Sequence, residues 1–92
     1  MSNSNVQTYL NSLPDNILEI DLSQKELTEL PDLSRFTQLQ ILHCLDNRLT
    51  SLPDTLPNSL QTLNCGHNQL TSLPILPNYL QILLCYNNKL TR

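Results

Sequence analysis

The sequence predicts a solenoid of stacked short repeats, in which each repeat adds one short strand to a parallel sheet. Three observations predict this fold. An 11-residue pattern recurs at residues 39–49, 60–70 and 80–90, and in looser form at 17–27. The starts are 22, 21 and 20 residues apart, and near-regular spacing of this kind is typical of repeats that stack only on their neighbours. Leu-Pro pairs fill the returning segments, which favours extended, polyproline-like chain over helix there.

The shared pattern is L-x-x-L-x-C-x-x-N-x-L, and we number its positions 1 to 11. The first repeat departs from it, with Leu22 at position 6 and Lys25 at position 9, so we expect its turn to be looser or bonded differently. Side chains alternate along a strand, so positions 4 and 6 should point into the core. The predicted strands lie near residues 18–22, 41–44, 62–65 and 82–85.

A short helix is predicted ahead of the repeats. Val6, Tyr9, Leu10 and Leu13 follow helical spacing and form one apolar face, and Pro14 ends the run. Terminal repeats of a solenoid need a cap that keeps water off their core. We therefore divide the chain into a capping helix at residues 1–14 and leucine-rich repeats at residues 15–92, with starts near 17, 39, 60 and 80.

Composition excludes several classes of function. The net charge of −3 is uneven, with −5 in residues 1–32 and +2 in residues 33–92. There is no basic run, which argues against a nucleic-acid partner, and no stretch approaches the length of a membrane span. The odd number of cysteines, three, argues against a disulfide framework and favours a reducing, cytoplasmic compartment.

The pattern of cysteines and histidines does not indicate a metal site or a catalytic site. Cys44, Cys65 and Cys85 all occupy position 6, where a buried free cysteine packs as a small apolar side chain, and no zinc-ligand spacing is present. A cluster of His43 and His67 with Asp46 is the alternative catalytic or metal reading, but no serine nucleophile lies in the same row. We expect neither an enzyme nor a metal or cofactor site. Recurring amides at position 2 are expected to bond to one another along a ladder: Gln40, Gln61 and Gln81.

The consensus L-x-x-L-x-C-x-x-N-x-L-T-S-L-P-x-L-P-x-x-L resembles the short bacterial type of leucine-rich repeat, in a cysteine-bearing version. That type occurs in effectors of bacterial pathogens, including YopM-like scaffolds and IpaH-like ubiquitin ligases. The resemblance implies a curved solenoid whose concave strand face binds another protein. It also implies that the position-9 asparagines bond to neighbouring backbone: Asn47, Asn68 and Asn88.

The outward-facing residues of the strands carry the functional hypothesis, a protein–protein recognition module that binds through its concave face. The first repeat is acidic there and the fourth is apolar, and exposed apolar groups on such a face indicate a binding surface. The candidate binding residues are Glu19, Asp21, Ile41, His43, Leu45, Thr62, Asn64, Ile82, Leu84 and Tyr86.

Three alternatives stay open at this point. The chain could be the recognition fragment of a larger effector or enzyme, such as a ubiquitin ligase, with its catalytic domain elsewhere. It could be a passive solenoid without a specific ligand. The fourth repeat ends without a cap and its apolar strand would be an unpaired edge. Either the natural protein has more repeats, or this end docks against a second copy, for which a two-fold homodimer is the commonest closed solution. Delivery into a host cell is compatible with the effector resemblance.

Overall fold

A computed structural model describes residues 3–90, with side chains from residue 5 onward. One helix, α1 at Asn3–Asn11, is followed by four strands, β1 at Glu19–Asp21, β2 at Ile41–His43, β3 at Thr62–Asn64 and β4 at Ile82–Leu84. The strands form one parallel sheet in the order β1-β2-β3-β4. Four parallel strands and one short helix fit a leucine-rich-repeat-like fold.

The register of the sheet follows the repeat phase. Ile20 pairs with Leu42, Leu42 with Leu63, and Leu63 with Leu83, so position 4 of every repeat lies in one row. The first three members of that row are completely buried. The one-residue alternation that predicted the inward positions is therefore confirmed for the described strands.

Each strand is shorter than the sequence predicts. Main-chain pairing continues beyond the strand to position 8, since the amides of Cys44 and Asp46 donate to the carbonyls of Asn64 at 2.8 Å and Gly66 at 3.1 Å. At position 8 the chain turns with a positive φ, as at Asp46 with 57° and His67 with 55°. The left-handed backbone at position 8 ends the extended run.

Each position-9 asparagine links its own repeat to the preceding one. Asn68 accepts a hydrogen bond from the amide of Leu49 at 3.0 Å, and its side-chain amide donates to the carbonyls of Cys44 at 3.0 Å and Cys65 at 3.1 Å. These bonds satisfy backbone groups that the turn leaves without strand partners. The same arrangement recurs at Asn47 and Asn88.

Because each asparagine bonds to the backbone of the preceding repeat, the lack of an asparagine at position 9 of the first repeat can be explained. Asn47 accepts hydrogen bonds from the amides of Lys25 and Leu27, both at 3.0 Å. The first repeat follows α1 and not another repeat, so position 9 has no equivalent backbone to reach and a lysine replaces the asparagine. The turn of the first repeat is bonded differently, as expected, and it contains a second positive φ at Glu26, 59°.

Helix α1 covers the start of the core. Val6 and Leu10 are buried, whereas Tyr9, which the sequence analysis placed on the apolar face, is 36% exposed. The helix ends at Asn11 and not at residue 13, because the amides of Ser12 and Leu13 switch to carbonyls three residues back. Within residues 3–90, no helix is long and apolar enough to span a membrane.

Burial falls off in the fourth repeat. Leu39, Leu42, Leu60 and Leu63 are completely buried, whereas the equivalent residues of the fourth repeat are only partly buried. Those partly buried core positions are Leu80, Leu83, Cys85 and Leu90.

Candidate binding face

The side chains that point away from the core define one surface, which we call the outer face. It is formed by the first and third residues of each strand and by position 7. All ten candidate residues from the sequence lie in the strands or at position 7. Exposure is high on β1, intermediate on β2 and β3, and high again on β4.

The end of the outer face at β1 is acidic. Glu19 lies 2.8 Å from the imidazole of His43 on the neighbouring strand, and Asp21 accepts a hydrogen bond from the amide of Ser23 at 2.9 Å. That backbone hydrogen bond lowers the pKa of the Asp21 carboxyl below its ordinary value. Asp21 therefore keeps its negative charge throughout the physiological range.

The opposite end of the outer face, at β4, is apolar. Ile82 is 49% exposed, Leu84 is 40% exposed and Tyr86 is 48% exposed. These three side chains follow one another at alternate positions on the same face. We call this group the apolar patch.

Tyr86 is held in place by the preceding repeat. Its ring lies over Gly66, so closely that a Cβ atom at position 66 would come within 3.0 Å of the ring carbon Cζ. The ring also meets His67 edge-on, with centroids 5.3 Å apart, and His67 lies 3.2 Å from the side-chain amide of Asn87. An aromatic ring ordered in this way loses little freedom on binding.

Sequence reasoning missed the role of Gly66 as the support of Tyr86. The signal was available, because Gly66 is the only glycine in the chain. It occupies position 7, where the other repeats carry Ser23, Leu45 and Tyr86. A missing side chain in one repeat makes room for a large side chain in the next.

The cysteine ladder is part of the core at two of its three positions. Cys44 and Cys65 are completely buried and Cys85 is partly buried, so the expectation of three core cysteines holds only in part. Burial raises the pKa of the Cys44 thiol and raises that of Cys65 to about 11. Both thiols therefore stay protonated at neutral pH.

The two histidines do not form a cluster with Asp46. His43 pairs with Glu19 and His67 contacts Tyr86 and Asn87. Among the described residues, no group of three or more histidine, cysteine or acidic side chains could hold a metal ion. The structure therefore does not bring these three side chains together into one group.

The position-2 glutamines form a ladder, but through their main chains. The amide of Gln61 donates to the carbonyl of Gln40, and that of Gln81 donates to the carbonyl of Gln61, both at 2.8 Å. Their side-chain carboxamides make no hydrogen bonds to one another within residues 5–90. The expected side-chain ladder is therefore wrong.

Arg35 has a structural contact that the sequence did not reveal. Its guanidinium donates to the carbonyl of Leu10 at 2.6 Å and to that of Leu13 at 3.1 Å. It also forms an ion pair with Asp15, and its carbon Cζ lies over the ring of Phe36, 4.2 Å from the ring centroid. Arg35 thus fastens the end of α1 to the repeats.

Comparison with known proteins gives one relationship. The chain is 40% identical over 60 residues to oligodendrocyte-myelin glycoprotein of Homo sapiens. The matched segment covers 64% of this chain and 14% of that protein, and the Mus musculus protein of the same name matches to the same extent. This similarity supports a leucine-rich repeat relationship. Both relatives are named as glycoproteins. No family model matches the chain, and no solved structure matches it.

Proposed function

We propose that this chain is a non-enzymatic recognition module that binds another protein through the outer face of its sheet. The observation that carries the proposal is the apolar patch of Ile82, Leu84 and Tyr86, exposed on one face of β4. Apolar side chains grouped on an exposed face favour an interaction surface. The leucine-rich repeat relationship also suggests a protein-interaction module.

Tyr86 is the proposed anchor of the interface. Aromatic residues dominate the energetics of protein interfaces, and residues around them mainly exclude water. Gly66 and His67 order the ring before any partner arrives. The acidic residues Glu19 and Asp21 lie at the other end of the face, where charged groups influence association rate and specificity more than affinity.

The architecture that we propose for this function is a curved solenoid with the outer face on its concave side. Residues 1–14 would form the cap and residues 15–92 the repeats, of the short bacterial type with extended, polyproline-like segments on the convex side. The position-9 asparagines support this proposal, because each one joins a repeat to the preceding one by the same set of bonds.

Two further proposals concern context. The chain could act as the recognition part of a longer protein, and in support of this the matched segment is 14% of the human relative. The free cysteines support a reducing compartment, with delivery into a host cell as an extension of the bacterial resemblance.

A homodimer is a second candidate assembly. The partly exposed core positions of the fourth repeat, together with the edge of β4, form an apolar end that an identical copy could cover. The first repeat is covered by α1 through Val6 and Leu10, so two copies would meet through the same surface. A two-fold contact of this kind is closed.

Two exposed tyrosines near β4, one directly before the fourth repeat and one within it, test the recognition proposal. Tyr79 is 71% exposed but precedes β4 and lies off the outer face, so Tyr79→Ala is a matched control for Tyr86→Ala. Biotinylated wild type and both variants are used to capture proteins from cell extract, with quantification by mass spectrometry. A captured protein is then purified and titrated by calorimetry. We expect Tyr86→Ala to weaken its binding by about 2 kcal/mol, roughly 30-fold, and Tyr79→Ala to leave it unchanged. Equal losses from both variants would overturn the assignment of the face.

A further inference from the structure

A second surface runs along the flank of the sheet, separate from the outer face. It is a shallow groove of about 390 Å³ across all four repeats, which we call the flank groove. Its floor consists of the four residues at position 2, and its wall includes the ring of Tyr79. The floor residues are Leu18, Gln40, Gln61 and Gln81.

The backbone fixes the spacing of this floor. Gln40 donates its main-chain amide to the carbonyl of Leu18 at 2.8 Å, and the bonds from Gln61 to Gln40 and from Gln81 to Gln61 have the same length. The floor residues therefore repeat at the spacing of adjacent strands, about 4.8 Å. The main-chain groups satisfy one another, whereas the three carboxamides make no hydrogen bond with any side chain of residues 5–90 and offer their donors and acceptors to a ligand.

The chemistry of the lining is neutral and polar. None of the residues that line the flank groove is charged, although the chain carries a net charge of −3. Thr37 adds a hydroxyl group to the wall, and Ser59 adds a hydroxyl oxygen that can accept, since its proton is donated to the carbonyl of Leu39 at 2.6 Å. Tyr79 adds a ring that is 71% exposed. A charged ligand would find no counter-ion here, and an apolar ligand would have to desolvate unbonded amides.

Carboxamides and hydroxyls beside an exposed aromatic ring suit a ligand that is rich in hydroxyl groups and has apolar ring faces. Sugars have both features. The strand spacing is close to the advance per sugar of a β-1,4-linked pyranose chain, so that successive sugars could meet successive glutamines. An extended peptide advances about 3.3 Å per residue and would lose register with the floor after one or two repeats.

We propose that the flank groove binds a neutral, linear polysaccharide along the row of Gln40, Gln61 and Gln81, with Tyr79 stacked against one sugar ring. The row runs across the repeats, so the polymer lies perpendicular to the strands. This binding is independent of the recognition function proposed for the outer face, because the two surfaces share no residue among those named.

The experiment uses the whole chain and two defined probes. Native electrophoresis through gels containing hydroxyethylcellulose measures retardation, and calorimetric titration with cellohexaose measures affinity. We expect the wild type to be retarded, Tyr79→Ala to weaken cellohexaose binding at least tenfold, and Gln61→Ala to weaken it severalfold. Tyr86→Ala serves as the control and should bind like the wild type. Circular dichroism checks that each variant is folded.

Each outcome decides the proposal. Retardation that is lost with Tyr79→Ala and kept with Tyr86→Ala supports it. An absence of retardation of the folded wild type overturns it, and so does equal binding by the wild type and Tyr79→Ala. If Tyr79→Ala should fail to fold, Gln81→Ala takes its place, since this exposed carboxamide has no bond that folding depends on.

Discussion

Replacing Asn68 with alanine should destabilise the protein more than the same change at Asn88. Asn68 is buried and accepts from the Leu49 amide while it donates to the carbonyls of Cys44 and Cys65. Each lost hydrogen bond costs about 1 kcal/mol, and a buried group left without a partner costs about 1–3 kcal/mol. With a further bond to the carbonyl of Gly66 at 3.1 Å, the side chain makes four hydrogen bonds. Their removal implies a loss of about 3 kcal/mol or more in the free energy of unfolding for Asn68→Ala.

Asn88 makes equivalent bonds in the fourth repeat, to the Leu70 amide and to the carbonyls of Cys65 and Cys85. It is only partly buried, so water can replace its side chain as a partner. We expect Asn88→Ala to cost about 1 kcal/mol. The comparison separates burial from bond number, because the two residues make the same set of bonds.

Urea denaturation of the wild type and both variants, followed by far-ultraviolet circular dichroism and by tyrosine fluorescence, gives the two losses. Coincidence of the two probes is needed before a single free energy of unfolding is assigned. Equal losses for Asn68→Ala and Asn88→Ala, or a loss well below 1 kcal/mol for Asn68→Ala, would refute the argument that these asparagines join repeats through buried bonds.

Further predictions concern the core, the thiols, the anchor and assembly. Leu63→Ala should cost about 2–5 kcal/mol in urea denaturation, the range for a fully buried leucine. The pKa of Cys65 is raised from 9.0 to about 11 in the folded chain, so the folded state holds the thiol proton more tightly than the unfolded state. The free energy of unfolding, measured by denaturation, should therefore fall as the pH rises from 9 towards 11. Thiol reagents at neutral pH should label Cys85 before Cys65, and the reverse order would contradict the burial of the ladder. Gly66→Ala should displace the ring of Tyr86 and weaken partner binding as Tyr86→Ala does. Light scattering after gel filtration should give twice the chain mass, and a soluble monomer at high concentration would refute the dimer.

The sequence was sufficient for features that depend on period and alternation. Repeats 20–22 residues long, with isoleucine or leucine at position 4, determine the order and register of four parallel strands. The inward orientation of Cys44 and Cys65 follows from the same parity. These features depend only on local spacing, which a single chain displays.

Contacts between side chains of different repeats were harder to predict, because the spacing of residues along the sequence does not give their distances in space. The support of Tyr86 by Gly66 joins residues 20 positions apart, and Arg35 reaches back 25 positions to the carbonyl of Leu10. The row of glutamines at position 2 was visible in the sequence. The sequence did not show that their main-chain groups, and not their side chains, bond to one another. That Lys25 replaces asparagine could be explained only once the backward direction of the asparagine bonds was known.

The same backbone ladder creates two unlike surfaces. In the fourth repeat, alternation along β4 places Ile82, Leu84 and Tyr86 on the outer face, whereas Tyr79, ahead of the strand, lies in the flank groove. The two tyrosines are only seven residues apart in the chain. A protein on the outer face and a polysaccharide in the flank groove would nevertheless each contact only one of them. Tyr79→Ala and Tyr86→Ala are therefore reciprocal controls. Loss of both activities in either single variant would mean that the repeat had been disrupted as a unit, and the assignment of two independent surfaces would fail.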